Sequence, residues 1–234
     1  MKEHANDEKL IIKDLRKFYQ KYVKFENYEP IQKMTQKDLL VLKGIIGKSS
    51  EKILELGCGT GRLFLEMKKE YPNITGIDLT QRHIKIIRKT DPVAKVFLGN
   101  WHKTGFQKEE FDAIYSLGRN IAHDYLPIDQ ITTFIETHRI LKRRGIFIFD
   151  IPNREKGSYK NKIIQYANEV GHQGRYGLIC DSIDKKRFVI RYVYSHEDIA
   201  ALAQIAGFEI IHIHKEDLET GYGNENIYYV LKKI

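Results

Sequence analysis

The sequence predicts an α/β fold built on a mostly parallel sheet, and three observations predict it. From Lys52 onward, short apolar runs alternate with amphipathic ones, the pattern of repeated βαβ units. The run Gly145-Ile146-Phe147-Ile148-Phe149-Asp150-Ile151 is apolar on both faces, as a central buried strand must be. The run Ile53-Leu54-Glu55-Leu56 breaks into three glycines at alternating positions, Gly57, Gly59 and Gly61, and an amphipathic stretch follows at once. That is a strand, a tight turn and a helix start.

In chain order, the first ~45 residues look helical, with Leu10, Ile11, Leu15, Phe18, Tyr19 and Tyr22 at roughly helical spacing. A loop is expected over Phe25–Pro30, then a short helix from Thr35, its N-cap, to Gly47. Strands are expected at 52–56, 74–77, 94–98, 112–116 and 145–150, with helices at 61–70, 81–89 and 128–142. After Pro152 a helix over 158–170 leads into two β-rich segments, 175–183 and 187–194, around Asp184-Lys185-Lys186, which reads as a hairpin over one face. Ser195 or His196 opens a helix that Gly207 ends. An antiparallel pair, 208–215 and 227–233, closes the pattern around the loop Thr220-Gly221-Tyr222-Gly223. The 234 residues therefore read as one domain: a helical cap at 1–50, a core at 51–151, a small α/β lid insertion at 155–195, and a final helix and strand pair at 196–234.

Composition narrows the function classes. Hydrophobic residues make up 42% of the chain, enough for a sizeable core, and no stretch approaches the ~20 apolar residues of a membrane span. The N-terminus is polar and lacks a signal core. Cys58 and Cys180 match no metal-ligand spacing, so no metal is expected and a reducing cytoplasm is the plain reading. The net charge of +8 leaves nucleic acid open as a partner. The basic residues are spread along the chain, however, and the clusters Lys142-Arg143-Arg144 and Lys185-Lys186-Arg187 fall at expected turns, so a solvated surface is the simpler reading.

The glycine turn points to a cofactor, because without Cβ atoms a ligand can approach the backbone closely. Asp78, ending the next strand 21 positions after Gly57, is placed to accept hydrogen bonds from both hydroxyls of a ribose. Nicotinamide dinucleotides use the same geometry. Three features separate the two. The turn is Gly-x-Gly-x-Gly and not Gly-x-Gly-x-x-Gly. Glu55 precedes it, and a carboxylate suits an ammonium group better than a pyrophosphate. The third strand ends in Asn100-Trp101, an adenine-edge partner and a flat apolar wall.

Residues 52–151 resemble a class I S-adenosylmethionine-dependent methyltransferase. The resemblance rests on Glu55-Leu56-Gly57-Cys58-Gly59-Thr60-Gly61, Asp78, Gly99-Asn100, Phe111-Asp112-Ala113-Ile114-Tyr115-Ser116 and Ile140-Leu141-Lys142-Arg143-Arg144-Gly145, in that order. Asn100 stands where the family often has Asp. The resemblance implies a Rossmann-like seven-stranded sheet with a reversed last strand, and S-adenosyl-L-methionine as cofactor. It implies that Glu55 with Gly57, Cys58, Gly59, Gly61 and Arg62 holds the methionine end, and that Asp78 holds the ribose. Leu79, Asn100 and Trp101 would bind adenine, and Leu117 with Gly118 would line the sulfonium side.

The segment Ser116–Tyr125 should face the acceptor and weakly resembles the Leu-Gly-Asn-Ser-Phe-Ala-His segment of glycine-type N-methyltransferases. Arg119 is a candidate for gripping a carboxylate or phosphate, the alternative being a surface salt bridge. His123 is a candidate proton acceptor, the alternative being a histidine that orients the loop. Asn120 and Asn153 are candidate acceptor contacts, as are Tyr19 and Tyr28 from the N-terminal segment. Tyr159, Tyr166 and His172 lie in the expected lid. No Asn/Asp-Pro-Pro-Tyr/Phe follows the fourth strand and no Pro-Cys pair lies there, which disfavours nucleobase amine and pyrimidine C5 methylation. The leading expectation is methyl transfer to N or O of a small molecule. An RNA- or protein-directed methyltransferase and a non-catalytic cofactor-binding subunit are the alternatives.

Overall fold

A computed structural model describes residues 29–48, 50–155, 178–184, 187–215 and 226–234. Its strands are β1 (Ile53–Leu56), β2 (Thr75–Asp78), β3 (Lys95–Leu98), β4 (Phe111–Ser116), β5 (Leu141–Pro152), β6 (Leu178–Asp184), β7 (Arg187–Tyr192), β8 (Phe208–Lys215) and β9 (Asn226–Lys233). The helices are α1 (Glu29–Ile45), α2 (Phe64–Lys68), α3 (Gln81–Thr90), α4 (Pro127–Ile140) and α5 (His196–Ala206), with a 3₁₀ turn at Asn120–His123.

Seven strands form one sheet in the order β3-β2-β1-β4-β5-β9-β8. The pairs β1–β2, β1–β4, β2–β3 and β4–β5 are parallel, and β9 runs antiparallel to both β5 and β8. This is the seven-stranded sheet with a reversed last strand that the family resemblance implies, and it contains the antiparallel terminal pair expected from the sequence. All four residues of β1 and all four of β2 are buried, because helices cover both faces of the parallel half.

Strand periodicity sorts the core into two layers. Leu54, Leu56, Ile114, Phe147 and Phe149 point to one face, where they meet Phe134 of α4 and Ile199 and Leu202 of α5. Their neighbours Ile53, Ala113, Tyr115 and Ile148 point to the other, against Leu42 of α1, Phe64 and Met67 of α2, and Ile84 and Ile87 of α3. Burying side chains of this size stabilises the sheet by roughly 1.5–3 kcal/mol each.

Helix α5 carries the expected punctuation. Ser195 Oγ accepts from the Asp198 N–H at 3.1 Å, Asp198 Oδ2 accepts from the Ser195 N–H at 2.7 Å, and Gly207 at φ +82° ends the helix. Elsewhere boundaries move. Helix α1 starts at Glu29, six residues ahead of Thr35, because Pro30 falls in its first turn, where a proline needs no N–H partner. Helix α2 is shorter than 61–70, since Gly61 at φ +92° keeps the turn going. Strand β5 begins at Leu141, so Lys142-Arg143-Arg144 lies inside the strand. The local break appears there as Arg144 at φ +62° and a register shift between Phe111 and Ala113. β6 and β7 form the expected antiparallel hairpin as a separate two-stranded sheet. The expected helix at 158–170 and the loop at 220–223 lie outside the described residues. No described helix is long and apolar enough to cross a membrane.

Candidate active site

The site lies at the C-terminal ends of β1, β2, β4 and β5, where open α/β sheets bind ligands. The turn after β1 takes a path open mainly to glycine: Gly57, Gly59 and Gly61 have φ of +73°, +52° and +92°. The Gly57 and Cys58 N–H groups donate to the Ile77 carbonyl at 2.8 and 3.1 Å, anchoring the turn to β2. The Cys58 side chain packs into the core beside Gly76, and burial pushes its thiol pKa up. Gly61 closes against Leu65 and Ile87. Gly59 differs: among the described residues beyond its own chain neighbours, no atom lies within 4 Å of where its Cβ would project. That leaves a cradle open on the turn, beside Asp78.

Asp78 is tied to this turn. Its Oδ2 accepts from the Gly59 N–H at 2.9 Å, and its Oδ1 accepts from the Thr80 N–H at 2.8 Å and contacts His83 Nδ1 at 3.0 Å. His83, on the first turn of α3, escapes a sequence reading because it sits in an ordinary amphipathic helix. Leu79, next to Asp78, is half-buried.

Glu55 is buried on the α1 side of β1, where it accepts a hydrogen bond from the Tyr115 hydroxyl at 3.0 Å. Burial raises its pKa to about 8. The Tyr115 bond and the Arg62 charge work against that rise, while Asp78 and Asp38 reinforce it. Arg62 closes the turn toward α1, with Nη1 2.7 Å from Asp38 Oδ2 and 3.3 Å from Thr35 Oγ1. Asp38 is only 1% exposed and also accepts from the Tyr228 hydroxyl of β9 at 2.8 Å. Thr35, expected as an N-cap, is instead an arginine partner within α1.

The segment after β4 crosses the turn. Leu117 is buried, and Gly118, at φ +87°, leaves its Cβ position 3.7 Å from Arg62 Nη2. Arg119 adopts φ +61°, unusual for a side chain of its size, and its N–H donates to Asp150 Oδ1 at 2.7 Å. The Asn120 amide donates to the carbonyls of Gly57, Leu117 and Leu56 at 3.0, 3.0 and 3.3 Å, which fastens this segment onto the glycine turn. A Cβ on Gly57 would lie 2.6 Å from that amide nitrogen and 3.0 Å from Trp101 Cζ3. His123 is buried, and burial together with the Arg191 and Arg119 charges holds its pKa well below the usual imidazole value. It is therefore neutral at pH 7.

Asp150 sits at the end of β5, fully buried, with Oδ2 accepting from Asn226 Nδ2 at 2.7 Å. Burial, then the Asp38 charge, raises its pKa to about 7. Its only signal in the sequence is a lone acid inside an apolar run. Asn100 Oδ1 turns back to accept from the His102 N–H at 2.9 Å, and Asn153 Oδ1 accepts from the Glu155 N–H at 3.0 Å, so each carboxamide oxygen caps its own turn. Trp101 is half-buried, with its ring against the glycine turn. Tyr19, Tyr22, Tyr28, Tyr159, Tyr166 and His172 lie outside the described residues.

Comparison with known proteins agrees with this arrangement. Residues 53–145 match the model of a family described as a methyltransferase domain. YqeM of Bacillus subtilis, named as a candidate methyltransferase, is 29% identical over 104 residues, and the chain spans 42% of its length. Demethylmenaquinone methyltransferase of Thermotoga maritima is 31% identical over 180 residues, 73% of this chain and 75% of that one. A solved S-adenosylmethionine-dependent methyltransferase of Methanosarcina mazei superposes with a TM-score of 0.70 at 19% identity, covering 83% of this chain and 97% of its own. The glycine turn bound to Asp78, the sheet with its reversed β9 and the match to the Thermotoga enzyme together make this chain a member of the class I S-adenosylmethionine-dependent methyltransferases.

Proposed function

We propose that the chain transfers the methyl group of S-adenosylmethionine to a nitrogen or oxygen of a small-molecule acceptor. The observation that carries this reading is the open cradle at Gly59, with the Asp78 carboxylate bonded to the same turn. It fits an adenosine-bearing ligand whose ribose reaches Asp78 while its amino-acid end follows the turn toward Glu55 and Arg62. Leu79, Asn100 and Trp101 would flank the adenine. Leu117 and Gly118 would face the sulfur.

When bound, the cofactor supplies an electrophilic methyl on a sulfonium. The chain's part is to align the acceptor opposite the S–CH₃ bond and to exclude water. Arg119, His123 and Asn153, with Tyr19 and Tyr28, are assigned to the acceptor in this reading, while Asn120 fastens their segment to the glycine turn. Transfer would form a new N–CH₃ or O–CH₃ bond as the S–CH₃ bond broke, with that bond's electron pair left on sulfur. The neutral imidazole of His123 is in the right state to take the acceptor's proton. The Thermotoga relative, named for demethylmenaquinone, supports a small acceptor.

The test is transfer of labelled methyl from S-adenosylmethionine into a cell extract, followed by size fractionation. Label in the small-molecule filtrate is expected. Label confined to RNA or protein overturns the acceptor class, and cofactor binding without any transfer makes the chain a regulatory subunit.

A further inference from the structure

Asp124 follows the 3₁₀ turn on the acceptor-side segment and is only 4% exposed. Its Oδ1 accepts from the Trp101 indole N–H at 3.2 Å and contacts His102 Nε2 at 2.9 Å. Its Oδ2 accepts from the Thr133 hydroxyl of α4 at 2.5 Å. The backbone carbonyl of the same residue accepts from Gln130 Nε2 at 3.0 Å and from the Tyr194 hydroxyl at 3.2 Å. Asp124 is therefore held by α4 and by Tyr194, just ahead of α5, and in turn holds the two residues that follow Asn100.

The Trp101 ring is fixed from two directions. Its N–H is bound to Asp124, and its far edge rests on the glycine turn, where Cζ3 lies 3.0 Å from the Cβ position of Gly57. Asn120, four residues before Asp124, is bonded to the carbonyl of that same glycine. A single stretch of five residues thus grips both the turn and the indole. The distance between them is set by this stretch and not by the loop after β3 alone. A buried carboxylate with several donors is a rigid reference point, because leaving those donors unpaired would be costly.

We propose that Asp124 is a positioning residue for cofactor binding, fixing the Trp101 indole against the glycine turn and so shaping the adenine side of the cleft. This rests on the reading of Trp101 as part of the adenine wall. It assigns no contact between Asp124 and cofactor or acceptor. It also gives the acceptor-side segment a direct mechanical link to the cofactor side.

Trp101 is the only tryptophan of the chain, so its emission reports this link without labelling. The full chain, its Asp124→Ala and Asp124→Asn variants, Trp101→Phe and Trp101→Ala are titrated with S-adenosylhomocysteine by calorimetry. Fluorescence is recorded on the three that keep the tryptophan, and thermal melts confirm folding. Asp124→Ala is expected to shift the indole emission and weaken binding about tenfold or more, the scale for losing a charge-assisted hydrogen bond. Asp124→Asn, whose amide oxygen can accept from both Trp101 and His102, should restore emission and affinity to within about threefold. Trp101→Phe, which keeps a ring but removes the N–H donor, should lose affinity as Asp124→Ala does. A folded Asp124→Ala chain with unchanged affinity and emission overturns the proposal. If that variant does not fold, unchanged affinity in Trp101→Phe overturns it. Trp101→Ala separates the two levels: unchanged affinity there removes the adenine wall itself. Loss in Trp101→Ala without loss in Asp124→Ala leaves the wall and rejects only the positioning role.

Discussion

The Gly59 N–H donates to Asp78 Oδ2 across 2.9 Å, so the turn after β1 and the acid ending β2 form one corner. The carboxylate also receives the Thr80 N–H and contacts His83. A ligand therefore meets an Asp78 already held in place, with its orientation fixed before binding.

Asp78→Ala should weaken S-adenosylhomocysteine binding by about 1.5–3 kcal/mol, the scale for hydrogen bonds to a charged group. Calorimetry reads this directly. Unaltered affinity would reject the ribose role. His83→Ala, which removes only a support of the carboxylate, should cost less.

Gly57→Ala places a methyl 2.6 Å from the Asn120 amide nitrogen on a backbone at φ +73°. The chain should lose on the order of 1–3 kcal/mol of stability from strain alone. Adding Asn120→Gly relieves the clash but also removes three hydrogen bonds, so the double variant should lose less than the sum of the two single variants. Additive losses in chemical unfolding would show that the two residues do not press on one another.

Glu55 gives a pH signature. Its pKa in the folded chain, about 8, lies above the ordinary value of 4.5, so the folded state keeps a proton that the unfolded state has released. Stability from this group is full below about pH 4.5 and is lost as pH rises toward 8. His123 is depressed and acts in the opposite sense, but only below its ordinary value of 6.5. Asp150, raised to about 7, adds to the same fall up to pH 7, so between pH 6.5 and 8 the ligand-free chain should become less stable, and Glu55→Gln should flatten the slope above pH 7 in thermal melts. An ammonium group arriving beside Glu55 favours the ionised acid, so cofactor binding near pH 7 should release protons. Calorimetry in buffers of different ionisation enthalpy measures this release, and an equal heat in all buffers would count against Glu55 as the ammonium partner.

His123→Ala should lower turnover by about 10²-fold or more if the imidazole takes the acceptor's proton. Cofactor affinity should stay within about threefold. Unchanged turnover removes the base assignment and leaves His123 as a packing residue of the 3₁₀ turn.

Short-range features of the site were readable from sequence, and long-range ones were not. The glycine turn and Asp78 announce themselves because their spacing is set by one strand, one turn and one helix. Asp38 and Tyr228 carry no local signal, since they meet across 190 positions, and the helix-start signal at Thr35 gives no hint of its bond to Arg62. Asp150 hides for a different reason: an acid in an apolar run reads as a strand end, and only the packing of Arg119 and Asn226 against it reveals a buried acceptor. Asn120 reads from its position as a residue facing substrate, while the structure turns its amide onto three carbonyls of its own chain. Composition cannot tell which way an amide points.

Strand β9 lies between β5 and β8 yet follows both in the chain. During synthesis the gap between those strands must wait for residues 226–233, and the sheet cannot zip up in chain order. Tyr228 belongs to that late strand, and its hydroxyl donates to Asp38, the partner of Arg62. The Arg62–Asp38 pair beside the glycine turn thus gains its Tyr228 bond only after β9 has inserted. A ribosome-bound nascent chain would carry the glycine turn and Asp78 long before it could grip a ligand, so acquisition of cofactor should be among the last events of folding and should follow its slow, non-local step.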